Sequence, residues 1–424
     1  MITKFNFKDK TIKSYAIRKL TPRECFRLMG VRDGVIDTMQ QPAEGGDMAV
    51  SASQQYKQAG NSIVVDVLKS IYSQLWYPAP RKEEAREQSL FADFFGDDLP
   101  AEPTDTHKGE KVFITTFSGY DSQLMAADAL REEHPEFAWT CRGWSDIDKY
   151  ACKMHDLVFP QFADCALGDI TKIDWHAVKA SLQGREVDMF TYSSPCQDIS
   201  QAGKQMGLTE GSETRSALLW RVADAVEVLR PKYLLQENVA ALVSEKFMPD
   251  FRKWLQRLES LGYVNRWARL NAKDYGVPQN RDRVFCLSMR KDVAFDYQFP
   301  APVKLEKRLA DVLEEEVAER YFLKDNAVAK FLEANEKDEC VFVQSDVPPC
   351  HENAMFLKTW YTRKCAELGV WENPDHAAAA RVLEGRRAEL AEQFAVFKDK
   401  GAEAFGADFA EEYRRNMERK NEER

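Results

Sequence analysis

No run of apolar residues in the chain approaches the roughly 18–20 needed to span a bilayer. Met1 to Lys13 is polar and mixed, without the apolar stretch of a secretion signal. Both absences point to a cytoplasmic protein with no membrane partner. The nine cysteines form no CxxC pair, so they read as free thiols in a reducing compartment rather than a disulfide frame. The tightest grouping is Cys350 beside His351, with Cys340 and Cys365 nearby. It lacks zinc-site spacing, and no metal is expected. There is no internal repeat. There is also no GxGxxG: after the apolar "KVFIT", only Gly119 stands in "FSGYDSQ". That counts against a pyrophosphate cradle, and so against a nicotinamide dehydrogenase.

What is present is enough for more than one core. The 424 residues are 44% hydrophobic and 11% aromatic, a length that predicts two to three domains. The formal net charge of -10 argues against a nonspecific DNA coat protein. It leaves room for a basic cleft on an acidic body.

Residues 14 to 77 read as one unit. "TPRECFRLMG" offers Thr21 as a helix N-cap, Pro22 at the first helical position and Gly30 as a stop. "SIVVDVLKSIYSQLW" has helical spacing. Residues 78–110, with their prolines and charge run, read as a linker. From 111 to about 299, strand-like segments ("KVFITTFSG", "REVDMFTYSSPC", "PKYLLQENV", "DRVFCLSMR") alternate with helical ones ("SALLWRVADAVEVLR", "FMPDFRKWLQRLESLG"). This predicts an α/β fold, a largely parallel sheet with helices on both faces. Ligands of such sheets bind beyond the carboxyl ends of the strands. After residue 300 only "CVFVQ" looks strand-like, and the remainder is helical and highly charged.

Chemistry-bearing residues collect at the expected strand ends. Ser118 and Gly119 follow the first strand, and Asp146 follows a further strand-like segment in "EFAWTCRGWSDID", where an acidic residue can accept from ribose hydroxyls. Asp169 in "GDI" could accept from an adenine amino group. Cys196 follows a strand in a Pro-Cys-Gln turn that can favour a thiolate. Glu237 ends the apolar "LLQENV", a place where a carboxyl can keep its proton. Arg281 and Arg283 in "QNRDRVF" could aim a guanidinium at a ligand oxygen. On spacing alone two readings stay open: covalent catalysis by nucleophile, acid and clamp, or a buried thiol, a surface salt bridge and ordinary loop aspartates.

Taken together, these segments resemble the DNA (cytosine-5) methyltransferases. "FSGYDSQ" is similar to that family's cofactor loop, "SDIDKYA" and "GDI" to its ribose and adenine contacts, "SPCQDIS" to its catalytic-cysteine motif, "ENV" to its glutamate motif and "QNRDR" to its arginine motif. "IRKLTPRECFRLMG" and "QAGNSIVV" resemble the two motifs that usually close such proteins. The resemblance implies transfer of a methyl group from S-adenosylmethionine to C5 of a flipped cytosine in double-stranded DNA. It implies Cys196 as nucleophile on C6, Glu237 as the acid at N3, and Arg283, supported by Arg281, at the O2 side. The implied cofactor site comprises Phe117, Ser118, Gly119, Asp121, Ser122, Asp146, Ile147, Asp169, Ile170 and Pro195, with Asn61 and Ser62 closing over its methionine end. The implied DNA contacts are Gln197, Ser200, Gln201, Lys204 and Arg215, in and beside a loop (201–215) expected to close over DNA.

Two departures stand out. Asp121 and Ser122 occupy positions where the family carries glycines. The usually C-terminal motifs also come first, which resembles a circular permutation. The expected organisation is therefore 1–77 completing the core, a linker at 78–110, a catalytic domain at 111–325, and an accessory or target-recognition region at 326–424, joined in part by residues 1–15. In that tail Lys358, Trp360, Tyr361, Arg363 and Lys364 are candidates for DNA contact. "EQSLFADFF" resembles sliding-clamp peptides, and a restriction endonuclease is a further conceivable partner. The chain is expected to be a monomer. A tRNA methyltransferase and a non-catalytic DNA-binding member are the rival readings.

Overall fold

The computed structural model describes residues 1–42, 49–78, 99–100, 109–195, 215–324, 326–328, 330–331, 340–348 and 350–422. They form two compact units, Pro22–Val312 and Met1–Thr21 with Leu313–Arg424.

The larger unit is built on a six-stranded sheet. Its strands are β3 (Lys111–Thr116), β4 (Trp139–Ser145), β5 (Met189–Tyr192), β6 (Tyr233–Val239), β7 (Tyr263–Asn271) and β8 (Asp282–Arg290), in the order β4-β3-β5-β6-β8-β7. β4, β3, β5 and β6 pair in parallel, whereas β8 pairs antiparallel with both β6 and β7 and so runs against the other five. All six residues of β3 and all four of β5 are buried, as expected for strands covered on both faces. Their side chains alternate between two cores. Phe113, Met189, Tyr233 and Leu235 enter one, and Val112, Ile114, Phe190 and Leu234 the other.

The first core is covered by α1 (Pro22–Arg27), α2 (Asp33–Met39), α3 (Ala52–Asn61), α4 (Val65–Trp76), α5 (Ser122–Glu133) and α6 (Lys149–Val158). The second is covered by α7 (Trp175–Ser181), α8 (Arg221–Leu229) and α9 (Met248–Ser260). This is the α/β arrangement read from the alternation of segments. The early helix α4 lies beside β3, with the Tyr72 and Trp76 rings 5.7 and 5.8 Å from that of Phe113. The edge strand β7 escaped the sequence reading. Its middle carries Arg266, Trp267 and Arg269 and is only partly buried, so it lacks a clear two-residue alternation.

Gly30 ends the turn after α1 at φ +75°, and a Cβ there would collide with the Asp66 carboxylate. Gly30→Ala is therefore expected to cost about 1–3 kcal/mol, from left-handed strain plus the clash. Gly34, inside α2 with open space around it, is the control. Gly34→Ala is expected to be neutral or to stabilise by about 0.5–1 kcal/mol. Urea unfolding midpoints of the two variants check the contrast.

The smaller unit holds a three-stranded antiparallel sheet, β2-β1-β9, from β1 (Ile2–Asn6), β2 (Thr11–Tyr15) and β9 (Cys340–Gln344). The helices α10 (His351–Glu367), α11 (His376–Glu384), α12 (Arg387–Lys400) and α13 (Ala407–Glu422) complete it. Its core joins Phe5 and Phe7 to Phe356, Tyr361, Leu383 and Phe397. The boundaries thus fall at Thr21 and Val312 rather than at 77 and 325, because β1 pairs with β9.

The tail's DNA-contact candidates need correcting. Trp360 and Tyr361 are core residues, 2% and 0% exposed. Arg363 pairs with Glu412, and Lys364 with Glu367 and Glu389. These side chains hold the helices together. The clamp-like segment 87–95 lies outside the described residues. Among the described residues no helix is long and apolar enough to cross a membrane, and no cluster of His, Cys, Asp and Glu could hold a metal.

Candidate active site

The carboxyl ends of β3, β4, β5 and β6 meet at one edge of the larger unit. After β3 the backbone turns through left-handed residues at Phe117 (φ 53°), Gly119 (φ 59°) and Asp121 (φ 67°) before entering α5. Ser118 ties this loop to β4, its N–H donating to the Ser145 carbonyl at 3.0 Å. The Gly119 N–H donates to Asp146 Oδ2 at 2.8 Å, and Asp146 Oδ1 accepts from the Asp148 N–H at 2.8 Å. Burial raises the pKa of Asp146, against the pull of those N–H donors. A Cβ on Gly119 would stand in open space, so there is room in front of the loop beside this carboxylate. Ile147 next to it is 76% exposed, an apolar surface on which a flat ring can rest.

Other predicted cofactor residues are placed differently. The Asp121 carboxylate is buried and engaged by protein groups: it caps α5 through the Leu124 N–H and accepts from the Thr115 hydroxyl. Asp169 caps its own turn through the Thr171 N–H and hydroxyl, which hold its pKa low. Ile170 is buried in the second core. The Ser122 hydroxyl meets that of Ser62, which draws the "QAGNS" segment onto the first turn of α5. Asn61 is exposed at the end of α3.

Glu237 lies at the end of β6, buried, with Arg283 Nε 3.0 Å from its Oε1. Burial raises its pKa, while Arg283 and Arg281 pull it back. The net direction keeps a proton on the carboxyl longer than in water. β6 and β8 run antiparallel with Val239 opposite Arg283, which brings arginine and glutamate motifs together from distant sequence. Arg281 does something the sequence did not signal. Its guanidinium donates to the carbonyls of Gly60 and Ser62 at 2.9 and 2.6 Å, so it fastens the "QAGNS" segment to the start of β8.

Cys196, Gln197, Ser200, Gln201 and Lys204 lie outside the described residues. Arg215 opens a 3-10 turn, Arg215–Trp220. The approach to Cys196 is defined. The Ser193 hydroxyl donates to the Phe117 carbonyl at 3.1 Å, and the Asn238 amide donates to the Ser194 carbonyl at 3.2 Å. Pro195 therefore follows a segment tied on one side to the loop after β3 and on the other to the end of β6.

The C-5 cytosine-specific DNA methylase family matches residues 2–76 and 113–380, well over half of the chain. The chain belongs to that family. It is 45% identical over 177 residues to the Type II methyltransferase M2.ScrFI of Lactococcus lactis subsp. cremoris, covering 42% of this chain and 47% of that one. It is 43% identical over 143 residues to the orphan methyltransferase M.SssI of Spiroplasma monobiae, covering 33% and 36%. The chain thus spans less than half the length of these two relatives. Among solved structures, the S. pombe Dnmt2 methyltransferase matches 53% of this chain and 66% of its own at 17% identity and TM-score 0.38, too loose a superposition to add to the fold described above. The site residues described above lie within the parts of the chain that the family model matches.

Proposed function

We propose that the chain methylates C5 of cytosine in double-stranded DNA at a specific sequence, using S-adenosylmethionine. The observation that carries the reading is Glu237: a buried carboxyl, its pKa raised by burial, braced by Arg283 at the same sheet edge as the Gly119–Asp146 loop.

The residues fit the cofactor. Asp146 can accept from ribose hydroxyls, Ile147 offers an apolar face to the adenine, and Asn61 and Ser62 lie on the methionine side. When bound, S-adenosylmethionine supplies an electrophilic methyl group on its sulfonium. Cys196 as thiolate adds to C6 of a flipped cytosine. Glu237 gives its proton to N3, so the electron pair released by the addition gathers at C5 instead of as ring charge. Arg283 holds the O2 side and the Glu237 carboxyl together. Once C5 carries the methyl group, its bond to the sulfonium sulfur broken, a base removes the C5 proton, the C6–S bond breaks, Cys196 leaves as thiolate and the N3 proton returns to Glu237. We further propose that the segment order is a circular permutation, in which α3 and α4 complete the cofactor side of the core. The unit of Met1–Thr21 with Leu313–Arg424 is then the target-recognition region. A cytoplasmic monomer is the accompanying expectation.

A cleft of about 700 Å³ opens next to the arginine motif, lined by Gln279, Asn280, Lys273, Lys304, Lys307 and Arg308, with Glu306 the one acid among its lining residues. Four cations there, on a chain of net charge -10, suit a phosphate backbone. Lys304→Glu with Lys307→Glu is expected to raise the KM for DNA about tenfold and to reduce the salt slope of binding by about 1–2. Cofactor affinity should be unchanged. Anisotropy titrations over a salt series check this.

The function itself is tested by incubating the full chain with S-adenosylmethionine and unmethylated mixed-sequence DNA, with tRNA in parallel. Bisulfite sequencing reads the product, and Cys196→Ala is the control. Marks at one short DNA motif, lost in the variant, are expected. Marks on tRNA alone, or marks that persist without Cys196, would overturn the reading.

A further inference from the structure

Asp121 holds a left-handed backbone (φ 67°) at the turn into α5, a conformation that costs a non-glycine residue and persists only where surroundings impose it. What imposes it is buried. The carboxylate is fully enclosed, with Oδ1 on the Leu124 N–H at 3.2 Å and Oδ2 on the Thr115 hydroxyl at 2.7 Å. A third group faces the same oxygen: His155 Nε2, on α6, 3.5 Å from Oδ2. His155 is itself 0% exposed. Its ring lies flat on Trp144, centroids 3.8 Å apart, and its Nδ1 is 3.6 Å from Asp156 Oδ1. Among the described residues neither ring nitrogen makes a well-formed hydrogen bond, and Asp121 is the nearer of the two carboxylates beside the imidazole. A buried polar ring and a buried carboxylate are each costly alone and support one another together.

We infer that His155 is a positioning residue for the loop after β3. Its imidazole and the Thr115 hydroxyl hold Asp121 in the left-handed turn, and that turn sets where the Gly119 N–H meets Asp146. His155 acts through Asp121 and touches no substrate. The pair does with side chains what a glycine at 121 would do with backbone freedom. The consequence is that the two positions are coupled: with glycine at 121, His155 has no task. This inference rests on reading the loop as the cofactor loop.

The test uses the full chain, S-adenosylhomocysteine as probe in calorimetric titrations, and urea unfolding of the same proteins. His155→Phe keeps the stack on Trp144 and removes the nitrogens. His155→Gln keeps a donor where Nε2 stands. Asp121→Gly removes both the carboxylate and the backbone cost. His155→Phe is expected to weaken binding about tenfold, and His155→Gln to stay within about threefold of the unaltered chain. The double variant Asp121→Gly with His155→Phe should also return to within about threefold. In initial rates measured over a cofactor concentration series, the loss should fall on the KM for cofactor more than on kcat. Equal binding by His155→Phe and the unaltered chain would overturn the inference, as would a double variant no better than His155→Phe alone. Should His155→Phe not fold, the same decision comes from the double variant: folding and binding restored by glycine support the coupling, and failure refutes it. No binding by the unaltered chain would overturn the cofactor reading instead, and the urea midpoints would still report whether the two residues are coupled.

Discussion

Glu237→Gln is expected to lower kcat by about 10²–10⁴-fold, the range for loss of a positioned proton donor, with cofactor affinity unchanged. The amide fits the same space and keeps a contact to Arg283, so the loss isolates the proton. The pH dependence follows from the direction of the shift. Burial raises the pKa of Glu237, and the acid form is the one that donates to N3. In the unaltered chain kcat should therefore fall on the alkaline side, as pH rises through that raised value. Folding is linked to the same group. A folded-state pKa above the unfolded one gives stability present below the unfolded value and lost as pH rises through the folded one. The glutamine variant should lack both dependences. Single-turnover rates and urea midpoints across pH read them separately. An unaltered alkaline limb in the variant would remove Glu237 from the role of acid.

Arg283→Ala is expected to cost about 10²–10³-fold in kcat and to move the alkaline limb upward. Arg283 is the larger of the two influences that hold the Glu237 pKa down, so removing it leaves burial less opposed. Two outcomes thus come from one substitution: a slower reaction and a Glu237 that keeps its proton to higher pH. Arg281→Ala should differ in kind. That guanidinium grips the carbonyls of Gly60 and Ser62, so its loss should loosen the "QAGNS" segment and raise the KM for cofactor before it touches kcat. The contrast between the two arginines is read from a single set of initial-rate measurements.

Much of this site was legible because local chemistry carries it. Apolar strands that end in Ser-Gly, Ser-Asp or Glu-Asn announce where a parallel sheet presents its ligands, and the structure places Gly119, Asp146 and Glu237 there. The arginine motif was legible as two cations, but not as two tasks. Which of Arg281 and Arg283 faces Glu237 depends on the β6–β8 register, and the partner of Arg281 comes from some 220 residues earlier in the chain. The inward turn of Asp121 was hidden for the same reason: His155 reaches it only through the crossover between β4 and α6. The strands β1 and β2 escaped notice because five-residue strands with polar alternates resemble surface loop. Trp360 and Tyr361, beside basic residues, looked like a nucleic-acid surface until burial showed a core.

The pairing of β1 with β9 has a consequence for the order in which the chain can fold. The whole of Pro22–Val312 separates these two strands, so the sheet of the smaller unit cannot close until synthesis has passed β9. The larger unit is continuous and can form first. Its ends are tied together, the Arg27 guanidinium donating to the Val312 carbonyl at 3.2 Å. Once it is folded, Thr21 and Leu313 emerge as neighbours, and the entropy of closing a very long loop shrinks to that of joining two short ones. A nascent chain stalled before β9 would leave β1 paired with β2 on one side and open, as a sticky edge, on the other.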